Sequence, residues 1–236
     1  MNRKAILLAA SPEGDPVPGV YADLVAFDAF LRSNPGGAWD AKDIFQGKNS
    51  TRDEVLCAIQ AAKAADYSLV YFAGHGEIVK MGLPWAEARM LLGSRETISE
   101  RDLNSGSPRC TLILDCCQRA SEEDEKALLI QPSTLLEHGE GCSEFRDLYQ
   151  KTLVTAESGI VKVCTVACGS ALADTHSFTQ HLLNESSAWV TRHKGPLFLG
   201  EAVALAADAM KRENPQQQPE YQGGRRLRHF PFAVQI

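Results

Sequence analysis

The chain has 236 residues, with 30 acidic against 24 basic side chains, a formal net charge of −6 and 44% hydrophobic residues. Those figures suit one compact α/β domain, or at most two small ones, burying roughly 70% or more of the unfolded surface without disulfide staples. They exclude collagen, coiled coil and bulk disorder. The acidic balance argues against a general nucleic-acid binder, which needs a net basic face, and the tail cluster Arg225, Arg226 and Arg228 is too short to reverse that.

Short apolar runs alternate with helical patterns along the chain, the signature of a mostly parallel sheet flanked by helices. Ala5–Ala10 is a continuous apolar run, as a strand buried on both faces should be. At about six residues it is too short for a signal-peptide core, and Ser-Pro-Glu-Gly-Asp follows it in place of a cleavage site. After a loop over Pro12–Gly19, Val20, Leu24, Phe27 and Leu31 recur at helical spacing. A second strand is expected over Trp39–Phe45, then a helix to about Ala65 capped by Ser50 or Thr51.

Tyr67–Ala73 reads as the next strand and runs into Gly74-His75-Gly76. Residues 77–105 suggest a short hairpin and a helical turn, and Arg109–Asp115 a strand ending in Cys116-Cys117. Residues 118–159 carry an acidic run (Glu122 to Glu125), Pro132 and no sustained strand, with one helix expected around Ser143–Lys151. A stretch this long inside a compact domain is usually a functional or mobile loop. A strand over Ile160–Ala167 and helices over Ser177–Val190 and Leu197–Glu213 follow. Pro215–Gly224 reads as a polar linker, and Phe230–Ile236 as an edge strand closing the sheet. A single domain over 1–236 is expected.

No membrane span is expected. Seven cysteines form no disulfide framework and point to a reduced, cytoplasmic compartment. Cys57, Cys110, Cys142, Cys164 and Cys168 read as packing residues, and no metal site is expected.

Two strand ends carry chemistry. One delivers Gly74-His75-Gly76 and the other Asp115-Cys116-Cys117. In open α/β sheets ligands bind at the carboxyl ends of the strands. If these strands are parallel neighbours, one imidazole and one thiol meet at the same rim, the minimum for thiol catalysis. The glycines permit a sharp turn and let a carbonyl approach the Gly76 amide, which with the Cys117 amide would make an oxyanion hole.

Ser68-Leu-Val-Tyr-Phe-Ala-Gly-His75-Gly-Glu77 followed by Thr111-Leu-Ile-Leu-Asp-Cys-Cys117 resembles the caspase-like cysteine peptidases, specifically the bacterial relatives of metacaspases (orthocaspases). Caspases likewise place a histidine upstream of the cysteine, by about 50 residues. Pro18–Phe27, Ser177–Leu183 and Gln218–Tyr221 through His229–Phe232 are similar to further family segments in the same order. The resemblance implies a three-layer caspase-like α/β fold with a central sheet of about six strands. It also implies a cysteine endopeptidase with His75 as general base and acid, and Cys117 as nucleophile. Cys116 takes the motif's small position, so the choice between the two cysteines rests on register.

Carried over from relatives, Asp115 and Asp23 line the substrate-binding pocket, where paired acids would select Arg or Lys. Ala73 replaces a hydroxyl that relatives often carry. Some metacaspases need calcium, and Asp124 lies near one family ligand, but the remaining ligands are not evident, so no cofactor is assigned. Arg119, Lys126, Arg146 and Lys151 would suit processing within 118–159; an ordinary loop partly covering the site is the other reading. Relatives of this kind look like zymogen effectors of stress or antiphage response, switched on by cleavage, a protease or a sensor protein. The implied partners are a protein or peptide substrate and such an activator, with no nucleic acid or membrane and a monomer favoured. The alternative is a catalytically silent caspase-like binding or regulatory module.

Overall fold

The computed structural model describes residues 1–80, 86–117, 142–165, 177–213, 219–224 and 226–236. Strand β1 (Arg3–Ala9) is followed by helix α1 (Val20–Arg32), strand β2 (Ile44–Lys48) and helix α2 (Arg52–Ala62). Strand β3 (Tyr67–Lys80) forms a hairpin with β4 (Ala86–Leu91), which pairs with β5 (Thr97–Ser99). Next come β6 (Arg109–Cys117), α3 (Cys142–Thr155), β7 (Gly159–Cys164) and α4 (Ser177–Val190). The chain then forms β8 (Gly195–Phe198), α5 (Leu199–Glu213), β9 (Glu220–Gln222) and β10 (Pro231–Gln235).

The central sheet has the order β2-β1-β3-β6-β7-β9, parallel except for β9, with β4 and β5 joined through β3. This is the mixed α/β architecture the sequence implied. Side chains of β1 alternate between two cores. Leu7 shares one core with Leu24, Phe27, Leu31, Tyr71, Phe178 and Phe232. Ile6 and Leu8 share the other, on the opposite face, with Val55, Ile59, Val70, Phe72, Leu112 and Leu114. Burial on both faces explains why β1, β3 and β6 read as unbroken apolar runs.

The expected α2 forms with Thr51 as its cap. The Thr51 hydroxyl accepts from the Glu54 amide, and the Glu54 carboxylate accepts from the Thr51 amide at 2.9 Å. That reciprocal pair satisfies donors the first helical turn leaves orphaned.

Three expectations need correction. The second strand spans Ile44–Lys48 and not Trp39–Phe45. Ala38 adopts a left-handed φ of 49° and residues 41–43 make a short 3₁₀ turn, so the extended run begins later. Trp39 serves packing instead: its ring lies 4.4 Å from the buried Arg3 guanidinium and its Nε1 donates to Gly36 O at 3.1 Å. The polar linker over Pro215–Gly224 contains a strand, because Glu220–Gln222 pairs antiparallel to β7. Phe230–Ile236 does not close the central sheet; β10 pairs antiparallel with β8 in a separate two-stranded sheet, buried against the helices.

The helix expected around Ser143–Lys151 forms and runs longer, as the core helix α3, with Tyr149 and Leu153 fully buried. The Tyr149 hydroxyl donates to Pro231 O at 2.9 Å, and Arg146 grips Asp40 with both terminal nitrogens, at 3.2 and 2.8 Å. Residues 118–141, with Arg119, Asp124 and Lys126, lie outside the described residues. No helix among those described is long and apolar enough to cross a membrane.

Candidate functional site

Strand order reverses around β1: the chain leaves β1 for β2 on one side and crosses back to β3 on the other. The crevice at such a switch point, outside the carboxyl ends of the strands, is where open α/β sheets bind ligands. The β1–α1 loop, the far part of β3 and the end of β6 all reach it. Strand β3 runs parallel to β6 with Ala73 opposite Asp115, Gly74 opposite Cys116 and His75 opposite Cys117. His75 and Cys117 are thus neighbours in register, but only Cys117 ends its strand: β3 does not stop at Ala73 or turn at the glycines, and it runs on to Lys80 because β4 pairs with it from Gly76 onward.

The alternation of each strand sorts these residues. Tyr71 and Ala73 belong to the core on the α1 and α4 side, which fixes the face of His75 as the next member of their series. Asp115, opposite Ala73 on β6, brings its side chain to that same face, where it meets Thr179 of α4. Cys116 falls on the other face and is 2% exposed, packed with Val70, Phe72 and Met90.

Two glycines flanking His75 are required by close approach. A Cβ on Gly74 would stand 2.7 Å from Ala10 O, because β1 and β3 remain paired beyond the end of β1, where the Ala10 amide donates to Ala73 O at 2.9 Å. A Cβ on Gly76 would stand 2.7 Å from Cys116 Cβ and 2.8 Å from its sulfur. Gly76 itself is a strand residue opposite Met90.

His75 is buried, and its Nε2 lies 3.2 Å from the backbone oxygen of Asp15. A carbonyl oxygen can only accept, so Nε2 carries the proton of the neutral ring and Nδ1 is its basic nitrogen. The Asp15 carboxylate also stands 3.2 Å from Nε2. Asp15 escaped the sequence reading. The available signal was its place in the loop after the first strand, which delivers residues to the same rim as β3.

Asp115 is 1% exposed and accepts three bonds: from Thr165 Oγ1 at 2.7 Å, Thr179 Oγ1 at 2.6 Å and the Thr179 amide at 3.2 Å. Burial pushes its carboxyl up to about 7 and nearby Asp23 adds to the rise, while the threonine bonds pull the other way. Burial wins although the amide of the first turn of α4 favours the anion. Asp23, in the first turn of α1, is buried at 2% exposure on the same face. Tyr71, 2.9 Å from Thr179 Oγ1, is held well above the ordinary tyrosine range by burial first and then by Asp23 and Asp115. Thr165, Thr179 and Tyr71 were also missed by the sequence reading, because residues this far apart in the chain meet only through the β6–α4 packing.

Of the cysteines expected in the core, Cys110 and Cys164 are buried, whereas Cys57 is exposed on α2. A helix of polar composition keeps only Val55, Ile59 and Ala62 inward, so position 57 faces solvent. Among the described residues, no three His, Cys, Asp or Glu side chains are arranged to hold a metal ion.

No protein-family profile matches the chain. No curated protein matches it by sequence. Solved structures do match. The Drosophila initiator caspase Dronc aligns with a TM-score of 0.55 at 8% identity, over 98% of this chain and 81% of its own. Caspase-1 from Spodoptera frugiperda aligns with a TM-score of 0.57 at 12% identity, over 99% and 90%. The structure of pro-Sf-caspase-1 aligns at 0.54 and 11%, over 94% and 90%. The fold is that of the caspases.

Proposed function

From a caspase fold that sets His75 and Cys117 in register on neighbouring parallel strands, we propose that this chain is a cysteine endopeptidase. That register carries the reading. His75 takes the Cys117 thiol proton on Nδ1, and the thiolate attacks the scissile carbonyl. The Gly76 and Cys117 amides hold the oxyanion. The imidazolium returns its proton to the leaving amine, leaving an acyl group on Cys117. His75 then activates water, which releases the acid and restores the thiol.

The buried acids Asp115 and Asp23 on the same face support cleavage after Arg or Lys. A guanidinium entering beside them would meet carboxyl groups in a dry setting, where charge pairing is strong, and would itself favour ionisation of Asp115, whose carboxyl is raised to about 7. The motif resemblance to bacterial metacaspases extends the proposal to a zymogen effector in stress or antiphage defence, activated by cleavage or by a partner protein.

A fluorogenic panel with Arg, Lys, Asp or Leu at the cleavage position, run with and without calcium, tests this. The expected result is hydrolysis of the Arg and Lys peptides, lost in Cys117→Ala and His75→Ala. Turnover of the Asp peptide alone would overturn the specificity. Full activity in Cys117→Ala would overturn the mechanism. Silence of the wild type, persisting after limited proteolysis within 118–141, would favour a binding module instead.

A further inference from the structure

The backbone carbonyl of Asp15 would fix the tautomer of His75 whatever side chain position 15 carried. The carboxylate is a separate feature. It stands 3.2 Å from His75 Nε2, is one-third exposed, and faces an imidazole whose own side chain is 7% exposed. An ion pair with one partner withdrawn from water is screened less than a surface pair.

The loop that bears Asp15 is built to hold it. Asn49 pairs reciprocally with Ser11: its Oδ1 accepts from the Ser11 amide at 2.8 Å and its Nδ2 donates to Ser11 O at 3.2 Å. Ser11 Oγ accepts from the Val17 amide at 2.8 Å, closing the loop on itself. The Asp15 amide donates to Pro12 O at 3.1 Å, and Arg95 Nη2 reaches across from the β4–β5 turn to Glu13 O at 2.6 Å. Asn49 adopts a left-handed φ of 50° to make its contacts. Bonds from Asn49 and Arg95, on two separate connections, therefore converge on the ten-residue loop between β1 and α1, which sets Asp15 against His75. Other charged groups on the packed strands are Asp115, one alternation step before Cys117 on β6, and Arg89 on β4, opposite Glu77.

We propose that the Asp15 carboxylate is a positioning residue of the catalytic dyad: it steadies the imidazolium that forms when His75 takes the thiol proton. The inference rests on the proposed His75–Cys117 chemistry. In that step the S–H bond breaks, the N–H bond forms at Nδ1, and the ring gains a positive charge beside a carboxylate on its far nitrogen. Replacing Asp15 by Asn keeps the carbonyl, the loop and the side-chain volume, and removes only the charge. Because the carbonyl still sets the tautomer, the loss should be well below that of a triad aspartate that sets tautomer and charge together, about tenfold.

Two readouts on the intact chain test this. The first is the rate of Cys117 alkylation by iodoacetamide at pH 7, followed by peptide mapping in wild type, Asp15→Asn and His75→Ala. The expected order is wild type fastest, Asp15→Asn about tenfold slower, and His75→Ala slowest. The second is a split of kcat against KM on the preferred peptide, with kcat about tenfold lower in Asp15→Asn and KM within about twofold. An Asp15→Asn rate equal to wild type, with His75→Ala slow, overturns the role of Asp15 and leaves the dyad standing. Equal rates in wild type and His75→Ala overturn the dyad itself.

Discussion

Gly76 and Cys116 occupy one space: a Cβ on the glycine would stand 2.7 Å from the Cβ of the cysteine and 2.8 Å from its sulfur. The contact joins the residue after His75 to the residue before Cys117 and makes Cys116 part of the core beneath the site. Cys116→Ala should therefore keep peptidase activity within about threefold and cost about 1 kcal/mol of stability, read by thermal melting. Gly76→Ala should do the reverse of sparing the site. It forces β3 and β6 apart at the dyad, and peptide turnover should fall by more than tenfold.

Asp115 predicts a pH signature. Its carboxyl is raised from 3.8 to about 7 in the fold, so between those values the folded chain binds a proton that the unfolded chain has released. Stability contributed by this group is present below about pH 4 and lost as pH rises through about 7, a total on the order of 4 kcal/mol. Asp115→Asn should flatten that part of the curve, measured by urea unfolding at pH 5 and pH 8, and should gain relative to wild type at pH 8. The same protonation predicts selectivity. The ratio of turnover for an Arg peptide over its neutral citrulline counterpart should rise with pH through about 7 in wild type, and not in Asp115→Asn.

Asn49→Ala should loosen the loop after β1. Alanine at a φ of 50° is strained and loses both contacts to Ser11, a cost of about 2 kcal/mol. Asn49→Gly accepts the backbone angle but not the contacts. It should recover part of the stability while leaving kcat depressed, a pattern that thermal melting and steady-state kinetics together resolve.

Trypsin should spare Arg146 and Lys151 in the folded chain. Both lie on α3, and the Arg146 head is held by Asp40 and by Ala38 O at 2.9 Å. A protease needs an extended segment, and this helix carries the buried Tyr149 and Leu153. Time-resolved digestion should show no cut within 142–155 before global unfolding, which restricts any activating cleavage to other positions.

The parallel strands were legible in the sequence because burial on both faces leaves an unbroken apolar run, but the glycines around His75 read as a turn although β3 continues through them to Lys80. Partner choice was not legible. Pro231–Gln235 reads as a strand in isolation, yet nothing local says that it pairs with Gly195–Phe198 and not with the central sheet. Glu220–Gln222 is too short and polar to announce itself, and it extends only because the β7 edge accepts it. Trp39 looked like strand, but the positive φ at Ala38 and the stacking on Arg3 are tertiary facts. At the site, motif spacing pointed to His75 and Cys117. The Thr165, Thr179 and Asp15 contacts lie 50, 64 and 60 residues from the groups they touch and depend on packing.

The most direct test is covalent trapping with a peptidyl-arginine chloromethyl ketone, mapped by mass spectrometry. One adduct is expected, on Cys117, formed by wild type and Cys116→Ala and lost in His75→Ala. An adduct on Cys116, or equal labelling of Cys117 with and without His75, would contradict it.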